Sequence, residues 1–260
     1  MSDQDLQKLA ELRAKIDMAD QSIHALLMQR AEVIDELIKA KGASKNRGAA
    51  FRPGREAQMM DVLKERHSGS IPFATIAHMW REIISTFTWL QASYTAHIPL
   101  TGDNRLNDTV RYQFGFTVEV QTHATISQAK KAAESTQNAI VVLETPTNSD
   151  ADWWHDIGGV SGLSVMARLP IVPVPFDAVD ALVLAPPLSD PVPFEWRVYV
   201  AQAKSNSVFD GWSDGIVLSS RGQLADETQF LIALAPGGKT PAELLDIRAA
   251  GGYFAPLADV

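Results

Sequence analysis

Cysteine is absent from all 260 residues. That removes disulfides, thiolate metal sites and cysteine nucleophiles together. Histidine is scarce, with six residues at 24, 67, 78, 97, 123 and 155, none in the HExxH arrangement of a zinc helix. Neither a thiolate metal site nor an HExxH-type zinc site is therefore expected. Long apolar runs are missing too: none approaches the roughly 18 residues that a membrane span requires. The start of the chain is acidic (Ser2, Asp3, Asp5) and lacks the basic opening of a signal peptide. These absences lead to the expectation of a cytoplasmic protein with no membrane partner. Positive charge is in deficit as well. Twenty-three Lys and Arg against 31 Asp and Glu leave a formal charge of −8, a poor balance for nonspecific nucleic-acid binding.

What is present is the composition of a globular chain long enough for about two domains. The charge divides unevenly between them. Residues 1–98 carry 13 basic and 12 acidic side chains, and residues 99–260 carry 10 and 19. The expected division is an all-helical domain over 1–98 followed by an α/β domain over 99–260.

The first segment holds an unbroken heptad row: Leu9, Leu12, Ile16, Ala19, Ile23, Leu26, Arg30, Val33, Leu37 and Ala40. A 3, 4, 3, 4 spacing is that of a long helix lying along a partner helix. Residues 6–42 read as one helix, roughly 55 Å long, with Gly42 as its cap. It is too long for a domain of this size to cover, so part of the row is expected to meet another copy of the chain. Pro53 and Gly54 open a second helix from about Arg55 to His67. A third starts near Pro72 and carries the row Phe73, Ile76, Trp80, Ile83, Phe87, Leu90 and Tyr94, ending at Pro99.

Arg30 is the one charged member of the first row. A guanidinium stays charged in a protein, so its burial requires an anion. Lys41 lies eleven residues on, within about 20° of the same face and about 16 Å along the axis. That gap suits a small anion held between the two. Arg13 lies about 25 Å from Arg30 and cannot reach that pocket in its own chain, although it can in an antiparallel dimer. Lys39 to Arg55 contains six cations (Lys39, Lys41, Lys45, Arg47, Arg52, Arg55) and no acid, and Glu56 follows at once. Gln91, one turn after Phe87, offers a neutral amide donor. Singly, each has an ordinary structural reading: a register-setting arginine, a solvated basic loop, a glutamine beside a helix seam. Their order and spacing together carry the weight.

That order, LRAKID (Leu12–Asp17), LLMQR (Leu26–Arg30), KAK (Lys39–Lys41), RPGRE (Arg52–Glu56) and WREIISTFTWLQ (Trp80–Gln91), resembles the all-helical class of chorismate mutases across about residues 6–95. The resemblance implies an intertwined helical homodimer with shared sites, converting chorismate to prephenate in aromatic amino acid biosynthesis with no metal and no organic cofactor. It implies that Arg30, with Arg13 of the second copy, clamps the substrate carboxylates. Lys41 and Gln91 would then donate to the ether oxygen, Glu56 would accept from the ring hydroxyl, and Arg55 would support the charge network. Two positions depart from the family. Arg52 stands where some members have an aspartate, and Phe87 where many have a serine. Isochorismate-pyruvate lyase shares this scaffold and is the alternative activity. A catalytically inactive chorismate- or prephenate-binding regulatory protein is the alternative of another class.

After Pro99 the texture becomes α/β. Apolar β-rich runs occur at 116–120, 139–143, 181–184, 197–201, 215–218 and 230–234, with a helix expected over 125–137. Residues 100–200 resemble an eroded prephenate dehydratase, a family often fused to the mutase. Trp196 stands where that chemistry would use a threonine, so the second domain is expected to be non-catalytic. An aromatic amino acid or prephenate is its candidate effector. The tail (Glu227–Val260) reads as a degenerate ACT-like or other small α/β unit. GGKT (Gly237–Thr240) is expected to be a surface turn, and Trp153–Asp156 an apolar edge.

Overall fold

The structure, a computed structural model, describes residues 2–41, 51–146, 152–159, 162–186, 193–222 and 227–257. The expected cap at Gly42 and the basic residues Lys45 and Arg47 lie outside them. The chain forms two compact units, Met1–Lys45 and Asn46–Val260.

The first unit is one helix, α1 (Asp3–Lys41, 39 residues), roughly 58 Å long. Its start is fixed by a reciprocal cap: Asp5 N donates to Ser2 Oγ at 3.2 Å, and Ser2 N donates to the Asp5 carboxylate at 2.9 Å. Asp3 and Asp5 also place negative charge at the positive end of the helix dipole. The heptad row is uncovered along this helix: Leu12 is 46% exposed, Ile16 60%, Ile23 53%, Leu26 63% and Val33 58%.

The second unit begins with α2 (Pro53–Arg66) and α3 (Phe73–Gln91). Pro53 opens α2 where a missing N–H costs nothing. There follow β1 (Thr95–Pro99), α4 (Arg105–Phe114), β2 (Glu119–His123), α5 (Ile126–Ser135) and β3 (Ala139–Glu144). The strands β4 (Ser164–Leu169), β5 (Ala181–Ala185), β6 (Trp196–Ala203), β7 (Gly215–Gly222), β8 (Thr228–Leu234) and β9 (Asp246–Tyr253) complete the unit. The nine strands of the described residues form one mixed sheet in the order β2-β1-β3-β5-β4-β9-β6-β8-β7. The β1 strand runs parallel to both β2 and β3, as βα crossovers require. The pairings of β3 with β5, β5 with β4, β9 with β6, β6 with β8 and β8 with β7 are antiparallel.

Alternating side chains give the sheet two buried faces. On one, Ile140 and Val142 meet Leu106, Val110 and Phe114 of α4 and Phe73, Ala77 and Ile84 of α3. On the other, Val141 and Leu143 meet Ala129 and Ala133 of α5 together with Trp153, Trp154 and Ile157. Each such fully buried aliphatic side chain contributes about 1.5–3 kcal/mol over its exposed state. The tryptophans at 153 and 154 thus pack on a buried sheet face, where an apolar edge was expected.

Several expectations need correction. The third helix ends at Gln91, not at Pro99; Tyr94 lies in the connection, where its ring meets Phe114 edge-on at 6.3 Å. Residues 95–99 become a strand because two parallel neighbours satisfy its backbone. The buried side of α3 is also rotated from the predicted row: Phe73, Ala77, Arg81, Ile84, Ser85, Phe87 and Thr88 are buried, whereas Leu90 is half exposed. The helix has two apolar stripes, and the sheet side covers the one with smaller residues. The strand expected from Phe116 starts at Glu119, because Gly115 (φ 69°) first turns the chain out of α4. The tail is no separate unit: β8 and β9 belong to the one sheet. Beside β1, two further strands, β4 and β9, lie outside the expected runs. Among the described residues no helix is long and apolar enough to cross a membrane.

Candidate functional site

The residues singled out from the sequence fall on three helices. Arg13, Arg30 and Lys41 belong to α1. Arg13 is exposed, and Arg30 is half-buried. That burial lowers the Arg30 pKa from its ordinary value, yet a guanidinium remains a cation at neutral pH. Such a cation, part-withdrawn from water, binds an anion more strongly than a fully hydrated one does.

Arg52, Arg55 and Glu56 stand together at the start of α2, where Glu56 N donates to the Arg52 carbonyl at 3.0 Å. The two arginines are exposed, while Glu56 is buried at 4% exposure. The dipole of α2 favours a carboxylate in its first turn. The stronger stabilising partner is Arg81 of α3. Its Nη2 donates to Glu56 Oε2 at 2.7 Å.

Arg81 is itself 1% exposed. Its Nε donates to the Gln113 backbone carbonyl of α4 at 3.1 Å, and Ser85 Oγ donates to the same carbonyl at 3.2 Å. With the Gln113 amide turned so that its oxygen faces the guanidinium, that oxygen accepts from Nη2 at 2.8 Å and Nε at 3.2 Å. Tyr94 adjoins the group. Burial first, then the Glu56 charge, push its phenol pKa up, while Arg81 and a hydrogen bond with Ser85 oppose them, so the hydroxyl stays protonated. Three helices are thus tied through one guanidinium.

Gln91 closes α3 and is half-buried. Its Nε2 donates to the Phe87 carbonyl at 3.0 Å, which holds the amide near the helix end. Phe87 is buried at 8% exposure. The structure therefore brings Glu56 together with Arg52 and Arg55 at the head of α2, and sets Gln91 at the end of α3. The α1 cations belong to the other compact unit.

Arg81 is the residue that sequence reading missed. It lies one position off the predicted row, on the stripe Phe73, Ala77, Arg81, Ile84, Ser85, Thr88. Its spacing of four from Ala77 and from Ser85 is the signal that could have found it.

Elsewhere in the second unit, Ala57, Asp61, Ile171, Glu195 and residues 254–257 line a concavity of about 220 Å³. Burial and the charges of Glu195 and Glu65 raise the Asp61 pKa, with Lys64 opposing. Trp196, at the position of the expected threonine, stacks on Tyr253 with ring centroids 5.9 Å apart.

The family model of chorismate mutase type II matches residues 12–92, so the resemblance carried by the motif order holds for that segment. Among curated proteins, the bifunctional chorismate mutase/prephenate dehydratase of Neisseria gonorrhoeae is 24% identical over 160 residues, covering 60% of this chain and 43% of that protein. The protein of the same description from Pseudomonas aeruginosa is 30% identical over 89 residues, covering 33% of this chain and 24% of its own length. The chain thus spans less than half the length of these relatives in either match. Among solved structures, one described as GqqA, a novel type of quorum quenching acylases, has a TM-score of 0.47 at 12% identity, over 64% of this chain and 95% of that one. A prephenate dehydratase from Streptococcus mutans has a TM-score of 0.40 at 14% identity, over 62% and 98%.

Proposed function

We propose that this protein is a chorismate mutase, rearranging chorismate to prephenate. The observation that carries the reading is the family match over residues 12–92, with cationic, acidic and amide residues in the expected order on three helices. The chemistry suits such a set. A [3,3] rearrangement breaks one C–O bond and forms one C–C bond, and requires no nucleophile and no proton transfer. A protein accelerates it by holding the compact conformer and by placing donors where charge grows on the ether oxygen.

Arg30, and Arg13 from a second copy, hold the two carboxylates. Lys41 and Gln91 donate to the ether oxygen. Glu56 accepts from the ring hydroxyl, with Arg55 and Arg52 adding to the cationic surround. The uncovered row on α1 supports a homodimer with shared sites. Apolar side chains exposed along one side of a helix suit a partner surface in water. The functional segments are 1–98 for the mutase and 99–260 for a non-catalytic domain. Trp196, committed to stacking on Tyr253, offers no proton donor for a dehydration. An aromatic amino acid is the effector to test by calorimetry against prephenate.

The deciding experiment is chorismate consumption by the purified protein at neutral pH, with acid conversion of the product to phenylpyruvate. Rapid loss and a positive product test support the mutase. No turnover by a folded dimer removes it, and pyruvate released from isochorismate would assign the lyase instead.

A further inference from the structure

We propose that His97 and His123 form a proton-operated latch: the pair holds the edge strand β2 on the sheet at neutral pH and releases it on acidification. The inference is independent of the mutase reading and concerns two side chains that the expected site does not use. β2 lies at one end of the sheet, with β1 as its neighbour. Its side chains anchor it at two points. Glu119, Gln121 and Thr122 are exposed. Val120 packs, part-buried, on the side of α3 and α4, and His123 is part-buried on the opposite face.

His97 of β1 is the partner of that second anchor. It is 1% exposed, and its Nδ1 lies 2.9 Å from His123 Nε2. Two neutral rings make this bond with one proton between the two nitrogens. His97 Nε2, on the far side of the ring, is buried and has no partner among the described residues. The arrangement therefore suits one charge state. A further proton on His97 leaves a cation with no water and no partner at Nε2. A further proton on His123 takes the acceptor from His97 Nδ1, and the His97 proton must then move to the same partnerless Nε2. Either way the docked strand is disfavoured, and undocking returns the rings to water.

The neighbouring elements offer such a charge little relief. From β2, besides His123, Glu119 acts on His97 from an exposed position. From β3, the residue in register with His97 is the apolar Val141. α5 packs on β1 and buries Ala129 and Ala133. The buried charge of α5, Lys130, is engaged with the Trp153 carbonyl and Asp156, while Lys131 and Glu134 are exposed. Burial first, then His123, accordingly lower the His97 pKa, with Glu119 opposing. The docked strand is favoured at neutral pH and loses that preference as pH falls from about 6.5 toward the depressed docked value.

The test is amide hydrogen exchange of the full chain at pH 7.5 and at pH 5, corrected for the intrinsic pH dependence of exchange, since protection reports local opening. Protection of residues 119–123 is expected to fall at least about fivefold at the lower pH, while that of residues 139–144 in the buried β3 changes less than about twofold. In His97→Gln, whose amide can bond His123 without titrating, the fall should vanish. Constant protection of 119–123 in wild type overturns the proposal. So does a fall shared equally by 139–144, because it reports global unfolding, and so does an undiminished fall in His97→Gln. If His97→Gln does not fold, the ring-nitrogen magnetic resonance signals of His97 in wild type replace it. Their titration midpoint should lie within about one pH unit of the loss of protection, and a wider separation overturns the latch.

Discussion

Gly251→Ala is expected to weaken the sheet at its narrowest join. Gly251 lies on β9 at φ 101°, a backbone conformation that disfavours any Cβ. A left-handed conformation costs an L-residue about 1–2 kcal/mol. Space is the second cost: a Cβ there would lie 2.1 Å from the Val165 carbonyl oxygen and 2.7 Å from its amide nitrogen. Both are backbone atoms of β4, which cannot swing aside, and Val165↔Gly251 is the pair that joins β4 to β9. Overpacking of this kind costs about 1–3 kcal/mol. The combined loss of about 3 kcal/mol should lower Tm by about 6–12 °C for a unit of this size. Gly237→Ala is the control. It has a similar backbone, φ 76°, but nothing within 4 Å of the added methyl, so its loss should be about 1 kcal/mol, or about 2–4 °C. Thermal unfolding followed by circular dichroism compares them. Equal shifts in the two variants would refute the assignment of the larger cost to contact with β4.

Three further outcomes are expected. Arg30→Ala and Gln91→Ala should each leave a folded protein whose kcat/KM for chorismate is at least about 100-fold lower; unchanged turnover in either removes it from the site. Ile16→Asp, in the uncovered row of α1, should convert a dimer to a smaller species in sedimentation, and an unaltered mass would show that this row is not the interface. Burial first, then His123, hold the His97 pKa below its ordinary 6.5, with Glu119 opposing. The unfolded chain therefore binds this proton more readily, and stability is lost as pH falls from about 6.5 toward the depressed folded value. His97→Gln should flatten that part of the pH dependence of urea unfolding, whereas parallel curves for variant and wild type would contradict the reasoning.

The features legible in the sequence are those with one environment along their length. The α1 row stood out because its 3, 4 spacing runs without a slip. The strands β3, β5 and β8 stood out because both of their faces are buried, which makes them continuous apolar runs. β9 did not, since Asp246, Ile247 and Ala249 are exposed and glycine fills two of its eight positions. In α3 two apolar stripes compete, and spacing alone does not say which one a sheet will cover. Of the site, the residue types and their order were readable, because ligand chemistry dictates charge. Arg81 was not, because a charged residue beside another, as in Arg81–Glu82, looks like solvated surface until its burial is known. The Glu56–Arg81 pair links residues 25 apart, a separation that local periodicity does not register.

The place of β9 also sets the order in which the second unit can be made. Among the described residues the last strand of the sheet is not at an edge: it lies between β4 and β6, with five strands on one side and three on the other. Each flank presents an unpaired strand edge until residues 246–253 arrive, and during synthesis those residues emerge after the other eight strands of this sheet. Closing the gap joins segments far apart in sequence, the slow kind of step in folding. Until then β4 and β6 are open templates for another chain. Yield of this protein should therefore be limited by events at one late strand, and chaperones or slowed synthesis should act most strongly there.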